Sequence, residues 1–470
     1  MGKYKYLLKN MGLLTISNFA TKLLSFFLVP LYTTVLSTAQ YGTYDLYNTT
    51  ISLLIPILTF DIQEATLRFS IDNNSDKKSI FSISLTYSAL SSVFVIGFVV
   101  INNIFHILPL FEKFYLQFIL LYIFNTMAGM ISYFARGISK IFDLSVSSVI
   151  SSAVMIGCNI LFLLVFKWGI NGYFLASIMG SAAQCFYLSI RINLFRYITH
   201  VDFHSSIHNE MVRYSKPMIA NAVSWWVNNA SDRYVVTSLV GVAANGIYSV
   251  GYKIPSIISV LQSIFGQAWT LSAVKDFDRE DKSCFFINIY NLYNFMLVFA
   301  CTGLMLIDKP LARLLYAKDF YSGWVYAPFL MISTIFSGLS AFIGGLLSAM
   351  KKSTSFAKTS VITAVVNTIG NILLVIVIGP LGAAVSTAIA YALMWILRLR
   401  DIKKDINLRV NFKRDLTSYL VLVVQALMLC YVNRNKLINI SQLGFVIAIL
   451  MLYIPEIRRI MQRLRKAFIK

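Results

Sequence analysis

Apolar residues in this chain gather into blocks near twenty residues long, and that spacing leaves few folds open. About twenty residues of helix, rising 1.5 Å each, cross the roughly 30 Å of hydrocarbon in a bilayer. Roughly fourteen such blocks can be read between Met11 and Ile454 by this criterion. Composition agrees: 57% of residues are hydrophobic and 13% charged, against roughly 25% charged in soluble domains. The ten-residue alternating strands of an outer-membrane barrel are absent. The expected fold is an all-α polytopic membrane protein of about fourteen spans.

Lys and Arg number 41 against 20 Asp and Glu, a net charge of +21. In a soluble protein this excess would suggest nucleic acid, but basic residues collect in the cytoplasmic loops of membrane proteins, so no nucleic-acid partner is implied. Placing the N-terminus in the cytoplasm and alternating sides leaves only Lys113, Lys167, Lys309, Arg313, Lys318, Arg434 and Lys436 outside. Both termini are therefore expected in the cytoplasm. The five cysteines lie in or beside apolar blocks without paired spacing and read as small buried hydrophobes. The basic, apolar N-terminus reads as a retained first span, since its apolar stretch is too long for a signal peptide.

Short motifs recur in order along the chain. Tyr41-Gly42-Thr43-Tyr44 is echoed by Asn245-Gly246-Ile247-Tyr248, and Asn159-Ile160-Leu161 with Gly169-Ile170-Asn171-Gly172 by Asn371-Ile372-Leu373 with Gly379-Pro380-Leu381-Gly382. The displacement covers an even number of spans, so a parallel repeat is expected. The corresponding domains are a six-helix lobe over 1–205, a second over 206–405, and two further helices with a basic tail over 406–470. No loop is long enough for a folded soluble domain.

Ionisable side chains at membrane depth are functional candidates, because each costs about 2.5–3.5 kcal/mol or more there. Lys22, Arg233 and Lys253 are the basic ones, with Arg68 near a span end. Asp61, Glu64 and Asp232 are the acidic ones. Asp61, Glu64 and Arg68 are spaced to share one helical face, and Lys253 is the expected partner of Asp232, either as a fixed ion pair or as part of a transport site. Asn18, Trp225 and Asn229 accompany these cations along their helices. Amides and indoles suit a sugar and cations suit phosphate oxygens. Interhelical hydrogen bonding and an interfacial aromatic belt account for the same residues equally well. Pro30, Pro56 and Pro255 should bend their helices. His200, His204 and His208 have helical spacing but are interleaved with apolar residues, as in an interfacial helix. No P-loop is present, so energy must come from an ion or substrate gradient or from a partner.

From Tyr214 to Ile254, with Pro217, Asp232-Arg233, Gly241, Gly246, Tyr248 and Lys253-Ile254, the chain resembles the Wzx-type polysaccharide flippases of the multidrug/oligosaccharidyl-lipid/polysaccharide exporter superfamily. Tyr41-Gly42, Arg136-Gly137 and Gly379-Pro380-Leu381-Gly382-Ala383-Ala384 extend the likeness over about residues 1–400. The resemblance implies two six-helix lobes around a cationic central cavity in the bacterial inner membrane. It implies translocation of an undecaprenyl-diphosphate-linked oligosaccharide for O-antigen, lipopolysaccharide, capsule or exopolysaccharide assembly. On that reading Lys22, Arg233, Lys253 and Arg68 meet the diphosphate or acidic sugars, Asn18, Trp225 and Asn229 the glycan, and Asp61, Glu64 or Asp232 couple to H+ or Na+. No cofactor or metal is expected. Membrane lipids, a polysaccharide polymerase and a chain-length regulator are the expected partners. A cation-coupled multidrug exporter, a lipid II flippase and a membrane polysaccharide polymerase are the competing readings.

Overall fold

The computed structural model describes residues 12, 21, 26–72, 75–275, 285–350, 352–403, 406, 410–431 and 435–458. All regular elements among the described residues are helices. Contacts divide the chain into two compact units, Met1–Ala230 and Ser231–Lys470.

In the first unit, α1 (Val29–Val35) leads into α2 (Thr38–Leu58), α3 (Ile62–Ser70), α4 (Lys77–Phe105), α5 (Tyr115–Gly137), α6 (Ile141–Asn159) and α7 (Gly169–Ile192). The starts of α2 and α4 are set by side chains that occupy orphan N–H groups. Ser37 and Gln40 form a reciprocal capping box on α2, and the Asp76 carboxylate accepts from the backbone N–H groups of Lys78 and Ser79 at the start of α4. α6 continues into a π-helical stretch, Ile160–Val165, and the two together make one apolar span. α7 packs on α5 and α6, and α5 also packs on α3 and α4. Phe81, Met130, Phe134 and Leu188 join these helices in one buried apolar cluster.

The long α8 (Ser206–Leu239) begins in the first unit and ends in the second. It starts eleven residues ahead of Pro217 and runs through it as one helix. His200 and His204 precede it, and the His208 ring lies 3.1 Å from the Tyr87 hydroxyl.

The second unit continues with α9 (Val242–Gly251), α10 (Ser256–Lys275), α11 (Phe285–Leu306), α12 (Asp308–Leu315), α13 (Ala327–Ala349), α14 (Ser353–Ile378), α15 (Pro380–Ile402), α16 (Phe412–Tyr431) and α17 (Asn435–Leu452). α15 packs on α13 and α14. Gly379, at φ +64, turns the chain between α14 and α15, and Gly382 lies so close that an added Cβ would meet the Leu374 carbonyl oxygen at 2.2 Å. α16 and Tyr453, the residue after α17, are bound to α11 by polar groups. The Thr302 hydroxyl donates to Gln425 Oε1 at 2.8 Å. Tyr419 donates to Asn294 at 3.0 Å. Buried Arg414 joins Asp415, Glu456 and Asn291. Among the described residues nine helices are long and apolar enough to cross a membrane, or ten with the bent pair α2 and α3 as one span. Among the described residues this is fewer than the roughly fourteen spans expected from the sequence.

Proline acts at two of the three expected places. Pro56 precedes the 63° bend between α2 and α3. Pro255 follows Gly251 in the gap that separates α9 from α10. Pro30 instead sits in the first turn of α1, where its missing N–H costs no ladder bond.

Two predictions follow from these contacts. Gly382→Ala should lower the thermal unfolding temperature of the purified protein in detergent, whereas Gly97→Ala, with open space around it, should leave it unchanged. Asp76 is held below the usual carboxylate range by the Ser79 hydroxyl and then by backbone N–H groups. Its contribution is complete above the unfolded-state value and fades as pH falls through the lowered one. Asp76→Ala should therefore cost about 0.5–2 kcal/mol near neutrality and almost nothing in strong acid.

Candidate functional site

The bend after α2 creates the site in the first unit. Pro56 has no N–H, so it offers none to the Ser52 carbonyl one turn back. Phe60 (φ 54) and Asp61 (φ 49) then both take left-handed backbone, a conformation costing roughly 1–2 kcal/mol per non-glycine residue. The Asp61 N–H returns to the Pro56 carbonyl at 2.8 Å, which fixes the turn. Asp61 stands at the N-cap of α3 without capping it. Its carboxylate instead lines a cavity of about 580 Å³ together with Glu64.

The rest of the lining comes from α2, α5 and α8. The Tyr133 hydroxyl donates to Glu64 Oε1 at 3.2 Å, with the Arg136 guanidinium 5.8 Å from the Tyr133 ring centre. Gln63 is 7% exposed and its Nε2 has no hydrogen-bond partner among the described residues. Gly129 makes room for it, since a Cβ there would lie 3.1 Å from Gln63 Oε1. From α8, Asn221 and Trp225 line the cavity at helical spacing, joined by Trp226. The Trp226 indole donates to the Thr49 carbonyl at 2.9 Å and is buried. Trp225 is 66% exposed. No Lys, Arg or His belongs to the described lining.

A second cluster lies in the second unit around Asp232, which is 2% exposed. Its Oδ2 accepts from the Tyr248 hydroxyl at 2.8 Å and from the Tyr252 hydroxyl, and its Oδ1 from the Arg233 backbone N–H at 2.9 Å. The Arg233 guanidinium stacks 5.0 Å from the Tyr252 ring centre. Neutral hydroxyls thus hold this buried carboxylate, as burial of a charge requires.

The structure brings together some of the residues singled out in the sequence and separates others. Asp61, Glu64 and Trp225 share one cavity, and Asp232 and Arg233 share one cluster. Arg68 does not join its two acidic neighbours: it is exposed in the last turn of α3, one turn beyond Glu64 and off the cavity wall, while the bend sets only Asp61 apart from the helix that carries Glu64 and Arg68. Asp232 is bonded by tyrosines instead of Lys253, which sits half-buried in the gap between α9 and α10. The Asn229 amide donates to the Trp225 carbonyl at 2.7 Å within its own helix. Asn18 and Lys22 lie outside the described residues. Tyr133, Gln63, Tyr248 and Tyr252 were not anticipated. Tyr248 stood inside a recognised motif, whereas Tyr133 carried no local signal. No group of three or more His, Cys, Asp or Glu side chains fit to hold a metal ion occurs among the described residues.

The family model described as polysaccharide biosynthesis protein matches residues 7–271. No curated protein matches the sequence. Among solved structures, the fold is similar to the lipid II flippase MurJ in an inward closed conformation, at 16% identity and TM-score 0.67, over 95% of this chain and 98% of that one. It is also similar to a multidrug resistance MATE family transporter of the MOP superfamily. The inward-facing form gives 12% identity and TM-score 0.65 over 83% of this chain and 94% of that one. The outward-facing form gives 12% and 0.61 over 87% and 97%. The chain thus has a MurJ/MATE-like, multi-pass α-helical fold.

Removing one hydroxyl from the Asp232 cluster tests its construction. Tyr248→Phe should destabilise the protein by about 1–3 kcal/mol, because Tyr248 is fully buried and water cannot replace its donor. Half-exposed Tyr252 should cost less on conversion to Phe, and thermal melts of the single and double variants should be non-additive because both hydroxyls serve one oxygen.

Proposed function

We propose, because the chain belongs to the polysaccharide biosynthesis protein family, that it is a flippase carrying a lipid-diphosphate-linked oligosaccharide from the inner to the outer leaflet of the bacterial cytoplasmic membrane. The observation that carries this reading is the first unit's cavity, where carboxylates, amides and an exposed indole converge on about 580 Å³, a volume within the usual range of small-molecule sites. Carboxylates and amides accept and donate hydrogen bonds to ring hydroxyls, and an indole face covers the apolar face of a pyranose. Such a headgroup cannot cross hydrocarbon alone, since its polar groups would lose their water without replacement. The lipid tail has no such penalty and stays in the bilayer.

The proposed chemistry makes and breaks no covalent bond. Arg233 and Lys253 offer positive charge for the diphosphate, and an H+ or Na+ gradient acting at Asp61, Glu64 or Asp232 supplies the energy. Both termini are assigned to the cytoplasm from the distribution of Lys and Arg. O-antigen, capsule and exopolysaccharide repeat units are the substrate class, delivered to a polymerase on the outer face.

Export of a cationic small molecule is the second reading, favoured by two carboxylates without an ion pair among the described residues. Reconstituted vesicles separate the two. Wild-type protein should make a lipid-diphosphate oligosaccharide accessible to an impermeant lectin, and Trp225→Ala should slow this about three- to tenfold, the rate equivalent of roughly 0.5–1.5 kcal/mol of aromatic contact. Vesicles that extrude a cationic dye while the lipid-linked sugar stays on its original leaflet would replace the flippase by the exporter.

A further inference from the structure

The first unit's cavity has a polarity that the overall charge of +21 conceals. Asp61 and Glu64 stand three residues apart across a fixed bend and line the same space. Tyr133 gives Glu64 one neutral hydrogen bond, and no ion pair reaches either carboxylate among the described residues. A neutral guest that displaced the cavity's water would leave both charges uncompensated, and an anionic guest would add repulsion. A guest carrying an ammonium group removes this imbalance. Indole faces also attract cations, and Trp225 is the exposed indole of the lining.

A second observation points the same way and adds a hydroxyl-bearing ring to the ammonium. Gln63 is 93% buried, lines the cavity, and its Nε2 donor is unused among the described residues. A buried amide donor without a partner is costly, and a ring hydroxyl or ether oxygen is the acceptor it lacks. Asn221, exposed on the facing helix, offers a further donor and acceptor.

We propose that this cavity is a subsite for a sugar bearing a protonated amine, with Asp61 and Glu64 around the ammonium, Trp225 against the ring and Gln63 on a ring oxygen. The assignment rests on the flippase reading for its physiological substrate, a lipid-linked oligosaccharide containing an amino sugar. The same geometry disfavours a uronic acid in this place. An inorganic cation competes with the ammonium for the two carboxylates.

Binding to the purified full-length protein tests the site apart from transport. Four probes are titrated while tryptophan fluorescence is followed: methyl 2-amino-2-deoxyglucoside, its N-acetyl derivative, methyl glucuronide and cyclohexylammonium. The amino sugar should bind at least about tenfold more tightly than the N-acetyl derivative and the glucuronide. NaCl should weaken it more than choline chloride does, and Asp61→Asn with Glu64→Gln should bring the ratios towards one. Raising the pH past the amine's own titration should erase the preference in wild-type protein, a control that needs no variant. Equal binding of amino sugar and glucuronide, or a preference that survives both loss of the amine's charge and the double substitution, overturns the proposal. Cyclohexylammonium binding as tightly as the amino sugar overturns its sugar component. Translocation of lipid-linked sugars is then read in vesicles: an intact amine preference without translocation removes the flippase reading and leaves the subsite, whereas translocation without the preference does the reverse.

Discussion

Hydrocarbon offers no hydrogen bonds, so every backbone N–H and C=O inside a membrane must be satisfied by the chain itself. That requirement makes the spans helical, and it makes each departure from helix expensive enough to need local compensation. The bend between α2 and α3 is such a departure. Proline deletes one bond, two non-glycine residues turn left-handed, and the Asp61 N–H recovers a partner five residues back at Pro56. The outcome is a rigid corner that presents two carboxylates to one cavity. The gap between α9 and α10, at Pro255, similarly leaves Lys253 between two helices while Tyr248 and Tyr252 stay with Asp232.

The two polar sites answer the problem of buried charge in different ways. Asp232 is enclosed and supplied with three neutral donors, so its surroundings are complete without a guest. Asp61 and Glu64 share a more open space with one donor between them and an unused amide nearby. A completed site favours one fixed geometry, whereas an incomplete one gains free energy from whatever completes it. This contrast agrees with the proposal of sugar recognition in the first unit, while the Asp232 cluster ties α8 to α9 through hydrogen bonds.

Much of the fold was legible in the sequence because block length and apolar content are local properties that the bilayer reads directly. Pro56 and Pro255 also marked their breaks correctly. The sense of the bend at Phe60 and Asp61 was not legible, since neither residue is glycine. Without it, Asp61 reads as one more member of the helical stripe that Glu64 and Arg68 share. Partner choice was less accessible still. Assigning Lys253 to Asp232 assumed an unbroken helix through Lys253 and a preference for opposite charge, and the structure supplied two phenols. Tyr133 reaches Glu64 across 69 positions of sequence, with no periodicity to announce it.

The polar attachment of α16 and Tyr453 to α11 has a consequence for the order in which the molecule is made. Asn291, Asn294 and Thr302 on α11 find their partners in Arg414, Tyr419, Tyr453 and Gln425. A ribosome releases α11 well before any of those residues exists. During that interval three polar side chains wait in or beside lipid, exposed to insertion machinery and to membrane proteases. The second unit is finished only when the last helices arrive, so a nascent chain halted before Phe412 should be recognised as incomplete.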